Sequence, residues 1–227
     1  IPNVMDFENP PPPPDAYTRH IRSDFDIADD EYFFLQPTRV VQRKLIEHAI
    51  ELVSRLNMKT KLVITHASGD EGDEYERRIR KYSELLNVNT AFLSGIVADK
   101  RGKTRDGRKI YTLEDVYPYA DFVTYPSVFE GFGNAFLEAI YFRKPIIVNS
   151  YSTFTTDIKP KGFRVVEFND FITEDTLREV RYLLKHPAKI KDIVDFNYKL
   201  ACRHYSYSVV RHKLKSILTD HFGVLDI

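Results

Sequence analysis

YPYADFVTYPSVFEGFGNAFLEAIYFRKPIIVNS, residues 117–150, decides the fold. Residues 121–125 read as a short apolar strand, and residues 126–133 as a loop holding Gly131 and Gly133. Residues 134–142 predict a helix, since Ala135, Leu137, Ala139 and Ile140 form or pack helices well. Residues 145–149 read as a second buried strand. Strand, glycine-rich turn, helix, strand is the βαβ unit of a parallel sheet. Ligands of such sheets sit at the carboxyl ends of strands, where helix N-termini point.

The loop holds the candidate chemistry. Gly131 and Gly133 let the backbone approach a ligand closely and adopt positive φ. A helix N-terminus presents unpaired N–H groups and partial positive charge, so a phosphate fits just before Asn134. Glu138 lies on the same helix face as Asn134, about 6 Å further along the axis. Helical side chains lean toward the N-terminus, so the Glu138 carboxylate reaches past the phosphate position. A carboxylate does not bind phosphate, but it accepts two hydrogen bonds from a sugar diol. Glu130 is expected on the loop rim beside the same cavity.

Working outward, further strands are expected at residues 32–36, 61–65, 90–95 and 162–167. Leu45, Ile46, Ala49, Ile50, Val53 and Leu56 repeat at helical spacing. Helices are also expected at residues 70–86, with Asp70 or Ser68 as cap, and at 112–120, capped by Thr112. Three more follow at 173–185, 188–204 and 207–222. Strands alternating with helices predict an α/β fold, a doubly wound parallel sheet with C-terminal helices. Arg39, Arg43 and Lys44 cluster where the first strand hands over to its helix, at the carboxyl edge again. His66 either faces the ligand cavity or caps the next helix, and the second reading is preferred.

Three stretches carry ambiguous signals. Pro10 to Pro14 are five consecutive prolines, read as a stiff polyproline II connector. Asp24-Phe25-Asp26 is an acidic triplet before the first strand, read as solvated surface. Residues 97–111 hold Lys100, Arg101, Lys103, Arg105, Arg108 and Lys109 with two glycines. They read as a mobile basic excursion that meets phosphate, an anionic acceptor or solvent, with solvent preferred.

The 227 residues are 43% hydrophobic, which allows a large core. Formal net charge is zero, so no field for nucleic acid or a membrane surface is expected. One cysteine, Cys202, forms no internal disulfide and fits a reducing, cytoplasmic setting. No apolar run nears the roughly 18 residues of a membrane span. No metal-binding His/Cys spacing stands out. The chain starts mid-phrase without Met, so a fragment of a longer protein is expected.

Glu130-Gly-Phe-Gly-Asn-Ala-Phe-Leu-Glu138 resembles the Glu-x7-Glu signature of retaining GT-B glycosyltransferases, glycosyltransferase family 4. The surrounding YADFVTYPS and KPIIVNS are similar to that family too. The resemblance implies a Rossmann-like GT-B C-terminal domain at residues 32–204. Residues 1–31 become an interdomain linker with its proline-rich segment, opening on a family-like IPNVMDF phrase. Residues 205–227 become a helix packing toward a missing N-terminal domain. Thr38-Arg39 to Lys44-Leu45 is similar to the family's Gly-Arg…Lys-Gly phrase, with Thr38 and Leu45 replacing both glycines. The implied activity is sugar transfer from a nucleotide-diphosphate sugar to an acceptor hydroxyl, with UDP-, GDP- and ADP-linked donors all open. Arg39, Lys44 (with Arg43 the competitor for the lysine's place) and the backbone of Gly131, Phe132, Gly133 and Asn134 then hold the diphosphate. Glu138 holds the ribose, Glu130 positions the donor sugar, and neither cofactor nor metal is required. The loop after the third strand frames the base, and Asp157 matches a carboxylate that the family places after the following strand. Acceptor binding falls to the missing domain, so this chain alone is expected to be inactive. A non-enzymatic nucleotide-binding module, or another GT-B class such as an epimerase, is the alternative.

Overall fold

The structure is a computed structural model that describes residues 3–69 and 72–223. A short α1 (Ile21–Asp24) leads into β1 (Tyr32–Gln36), α2 (Ile46–Leu56), β2 (Thr60–Ile64), α3 (Glu74–Leu85) and β3 (Thr90–Phe92). A small hairpin, β4 (Gly102–Lys103) and β5 (Lys109–Ile110), precedes α4 (Leu113–Val116). Then come β6 (Phe122–Tyr125), α5 (Asn134–Tyr141), β7 (Ile146–Asn149) and β8 (Val166–Phe168). The chain closes with α6 (Glu174–Lys185), α7 (Pro187–Tyr205) and α8 (Tyr207–Phe222).

Six strands form one parallel sheet in the order β3-β2-β1-β6-β7-β8. Alternating side chains divide between its faces. Phe33, Leu35, Val63, Val123 and Val148 join the core beneath α5 and α7. Phe34, Leu62, Ile64, Phe122 and Ile147 join the core beneath α2, α3 and α6. Both faces are covered, so the strands read as apolar runs. The chain winds outward from β1 to β3 and then returns to β6 on the other side of β1. The strand order therefore reverses between β1 and β6, and the crevice at their carboxyl ends is where such sheets bind ligands.

The N-terminal segment is anchored rather than trailing. Phe7, Ile21, Phe25 and Ile27 are buried in the sheet's larger core. Tyr198 Oη and Cys202 Sγ of α7 donate to the Phe7 carbonyl at 3.2 and 3.4 Å. In the acidic triplet, Asp24 accepts from the Tyr111 hydroxyl, while Asp26 is solvated. The basic excursion forms a hairpin clasped to this segment. Tyr17 Oη donates to the Gly102 and Ile110 carbonyls, each at 2.8 Å, and Arg101 pairs with Asp15 and Asp115 at 2.6 Å. Asp15 and Asp115 thus take Arg101, and Lys109 Nζ donates to the Tyr17 carbonyl at 2.8 Å, while Lys100, Lys103 and Arg105 are exposed, in line with the solvent reading.

Helix starts shift slightly. Thr112 caps α4 in a capping box with Asp115, and Thr173 caps α6. α3 begins at Glu74 after Asp73, whose carboxylate accepts from Ser68 Oγ at 3.2 Å. The expected Asp70 cap, like the first two residues of the IPNVMDF phrase, lies outside the described residues. α8 buries none of its residues.

Candidate functional site

Two loops meet over the switch point. The first follows β1. Gln36 at the strand end is fully buried, donates to Thr38 Oγ1 at 2.7 Å and accepts from Thr124 Oγ1 of β6 at 2.6 Å. This buried network ties the two diverging strands together. A 3₁₀ turn over Gln42–Lys44 follows, and Leu45 then takes the left-handed region at φ 44 and ψ 50. Leu45 offers α2 no side-chain cap. Tyr75 of α3 compensates, accepting from Ile46 N at 2.9 Å and donating to Glu47 at 2.6 Å.

The second loop follows β6 and is sewn to the first. Val128 N donates to the Arg43 carbonyl at 3.0 Å. Glu130 turns inward, its side chain 8% exposed, and accepts from Lys44 Nζ and, at 3.4 Å, from Arg43 Nη1. The sequence reading put Glu130 on the rim. The structure corrects this, because two cations from the β1 loop capture the carboxylate. Burial pushes the Glu130 carboxyl up, but the Lys44 hydrogen bond and charge outweigh it and hold it below its usual range. Burial lowers the Lys44 ammonium from its usual range, opposed by Glu130.

Gly133 caps α5 at φ 103 without a side-chain hydrogen bond, leaving the helix N-terminus open. A Cβ there would lie 2.7 Å from Tyr125 Oη and 2.8 Å from Tyr151 Oη. Gly133 is therefore required by space as well as by φ. Gly131 has open space around it and keeps negative φ, so the positive φ expected for both glycines holds for one. The Phe132 ring packs edge-on against Tyr205, 5.3 Å between centroids, while its carbonyl accepts from Tyr151 Oη at 2.9 Å. Asn134 Oδ1 accepts from Asn3 Nδ2 at 2.6 Å.

These loops wall a cleft of 460 Å³ lined by Arg39, Arg43, Lys44, Glu130, residues 131–135 and Glu138. Three cations against Glu130 leave the end below Gly133 net positive. His66, Leu113 and Glu138 also line an adjoining cavity of 760 Å³. The loop after β3 lines it too, with Ser94, Gly95, Val97 and Asp99. Glu138 thus stands at the junction. Tyr117 Oη donates to it at 3.0 Å, and burial raises its carboxyl from the usual range against that bond. His66 faces the groove, contrary to the capping role preferred from sequence. Its Nδ1 pairs with Thr65 Oγ1 at 2.7 Å, and burial lowers its pKa, so the ring is neutral at pH 7.

Asp157 lies outside both clefts. It lines a third of 540 Å³ behind Gly131 and Phe132, with Thr153, Lys161 and Tyr205. Sequence reasoning missed Gln36, Thr38 and Thr124 as the brace of the switch point, and Tyr117 as the support of Glu138. A glutamine ending an apolar strand was the available signal for the brace.

A model of the glycosyl transferases group 1 matches residues 18–199. The chain belongs to this family. The mannosylglucosylglycerate synthase of Thermotoga maritima is 31% identical over 91% of this chain and 53% of its own length. The synthase of the same name from Petrotoga mobilis is 33% identical over 73% of this chain and 42% of its own. This group 1 glycosyl transferase chain spans about half the length of the curated relatives it matches. Among solved structures, Anabaena HepE in complex with UDP-glucose superposes with a TM-score of 0.77 at 11% identity, over 96% of this chain and 56% of that one. At that identity the likeness establishes the fold alone, a Rossmann-like parallel α/β sheet with flanking helices.

Proposed function

We propose that this chain is the donor-binding half of a retaining glycosyltransferase of family 4, taking a nucleotide-diphosphate sugar. The observation that carries the reading is the place of Glu138, between a positive cleft at a helix N-terminus and a second cavity large enough for a base. A nucleoside diphosphate has that order of parts: diphosphate, ribose, base. The open N-terminus of α5, Arg39 and Lys44 hold the diphosphate. Glu138, fixed by Tyr117, accepts from the ribose diol.

Charge accumulates on the leaving phosphate as the glycosidic bond breaks. Preorganised donors at that position stabilise the transition state more than the ground state. Lys44 and Arg43 are held by Glu130, so their positions are set before substrate arrives. That makes Glu130 a positioning residue for the cations, in place of the sugar-facing role expected from sequence. An anomeric centre of oxocarbenium character is attacked by the acceptor hydroxyl from the leaving-group face. The acceptor comes from a further domain, toward which the uncovered α8 points the reading. The mannosylglucosylglycerate synthases support sugar transfer as the reaction class.

The test is calorimetric titration of the protein with nucleoside diphosphates. Glu138→Gln is expected to weaken binding about tenfold to a hundredfold, since hydrogen bonds to charged groups contribute roughly 1.5–3 kcal/mol. Unchanged affinity, with an unchanged circular dichroism spectrum, removes the ribose role.

A further inference from the structure

Three buried side-chain polar atoms lack a hydrogen-bond partner among the described residues: His48 Nδ1, Ser127 Oγ and Tyr205 Oη. Tyr205 lines the 540 Å³ cleft behind Gly131 and Phe132, whereas His48 and Ser127 line none of the three clefts. Tyr205 ends α7 and is 1% exposed. Burial and the charge of Asp157 raise its pKa, so the hydroxyl stays protonated and is an unused donor. A buried donor without a partner is costly, and a ligand oxygen removes that cost.

The rest of the wall has both kinds of polar group. Asp157 is exposed, and its carboxylate accepts no hydrogen bond among the described residues, since Lys161 Nζ donates to the Asp157 backbone carbonyl instead. Thr153 Oγ1 donates to the Glu130 carbonyl at 3.1 Å and keeps its lone pairs. Asp157 and Lys161 leave the wall without net charge. An anion is disfavoured by Asp157 and by the C-terminal end of α7, the negative end of that helix. An apolar ligand leaves the donors and acceptors unpaired. A ring bearing several hydroxyls satisfies both, its hydrogens going to the Asp157 carboxylate and its oxygens accepting from Tyr205 and Lys161. The half-buried Phe132 offers such a ring an apolar contact.

Gly131 and Phe132 line this cleft and the phosphate cleft alike. Attack from the leaving-group face requires an acceptor that lies beside the phosphates, and the shared wall places this cleft there. We propose that the cleft is a pyranose subsite for the acceptor, with Asp157 and Tyr205 holding a sugar ring that the acceptor carries. The inference rests on the donor-half reading above. An acceptor oxygen bonds to the anomeric carbon as the bond to phosphate breaks, and its proton passes to the departing phosphate oxygen. The further domain supplies the remainder of the acceptor site.

The experiment follows backbone amide shifts by NMR while the chain is titrated with methyl α-D-glucopyranoside, methyl α-D-mannopyranoside and D-glycerate. At least one pyranoside is expected to shift amides at residues 131–132 and 153–161, with D-glycerate leaving them in place. Asp157→Asn is expected to weaken that binding about tenfold, and Tyr205→Phe about twofold to tenfold. Tyr205→Phe should not lower the thermal midpoint, because its hydroxyl has no partner to lose. Wild-type binding by both variants, shifts from D-glycerate alone, or no shift at residues 153–161 with either pyranoside each overturn the subsite. The titration is repeated with a saturating nucleotide sugar, UDP-glucose or GDP-mannose. Pyranoside shifts that persist support an acceptor, whereas their loss assigns the cleft to the donor's own sugar and overturns the proposal with the donor-half reading intact. If neither nucleotide sugar binds, the donor-half reading fails and the acceptor assignment falls with it.

Discussion

The loop after β6 places Gly133 at φ 103, and the loop after β1 places Leu45 at φ 44. Both positions need left-handed backbone to bring a loop onto a helix N-terminus. At Gly133 the space is also gone, because two tyrosine hydroxyls occupy the position of a Cβ. At Leu45 a half-buried side chain is accommodated and the cost is confined to the backbone. A glycine needed for room is thus kept, whereas one needed only for φ is exchanged at a cost of roughly 1–2 kcal/mol. The two loops are also coupled, since Lys44 of one holds Glu130 of the other.

That coupling gives the largest expected effect. Lys44→Met removes one partner of a buried pair and strands Glu130, with Arg43 left at 3.4 Å. Breaking such a pair costs about 3–5 kcal/mol, while replacing both partners costs far less. Lys44→Met combined with Glu130→Gln is therefore expected to recover most of the loss in thermal denaturation. The sign with pH follows from Glu130. Its folded pKa lies below the usual 4.5, so the pair stabilises above that value and the contribution is lost as pH falls through the folded one. A single variant as stable as wild type would show that the loops are joined by backbone alone.

Gly133→Ala comes next. The added methyl meets oxygen atoms of Tyr125 and Tyr151 and sits at φ 103, a region that side chains rarely adopt. A loss of about 3 kcal/mol is expected from strain and overpacking together. Adding Tyr151→Phe removes one of the clashing hydroxyls and should return part of it. Equal losses in the single and double variants would mean that φ, not space, fixes this glycine.

The sequence made these two loops legible to different degrees. β1 was read to the residue, and so was α8, because apolar runs and helical spacing are local signals. The glycine-rich turn and its helix were legible for the same reason. The inward turn of Glu130 was not, since its partners lie 86 and 87 residues away. Tyr117 and Glu138 share a helix–turn region in space but are 21 residues apart in the chain. The hairpin within residues 97–111 has strands of two residues, too short to show any period. What remained hidden was long-range pairing of polar side chains, which no local pattern encodes.

The smallest effect separates backbone from side chain at Leu45. Leu45→Ala and Leu45→Gly both remove the half-buried side chain, so both lose the same packing. They differ in what happens at φ 44. Ala keeps the left-handed penalty of an L-residue, roughly 1–2 kcal/mol, whereas Gly does not. Gly in turn loses more chain freedom on folding, worth about 0.5–1 kcal/mol. The difference leaves Leu45→Gly more stable than Leu45→Ala by up to about 1 kcal/mol. At an ordinary helical position the order is reversed, Ala being better by a similar amount. The sign of the Gly–Ala difference in urea denaturation is therefore the readout, and it does not depend on how much packing Leu45 contributes. Ala more stable than Gly at this position would show that the chain relaxes out of the left-handed region once the leucine is gone. Leu45 would then be held there by its own packing, and the contrast with Gly133 would be one of side chains rather than of backbone.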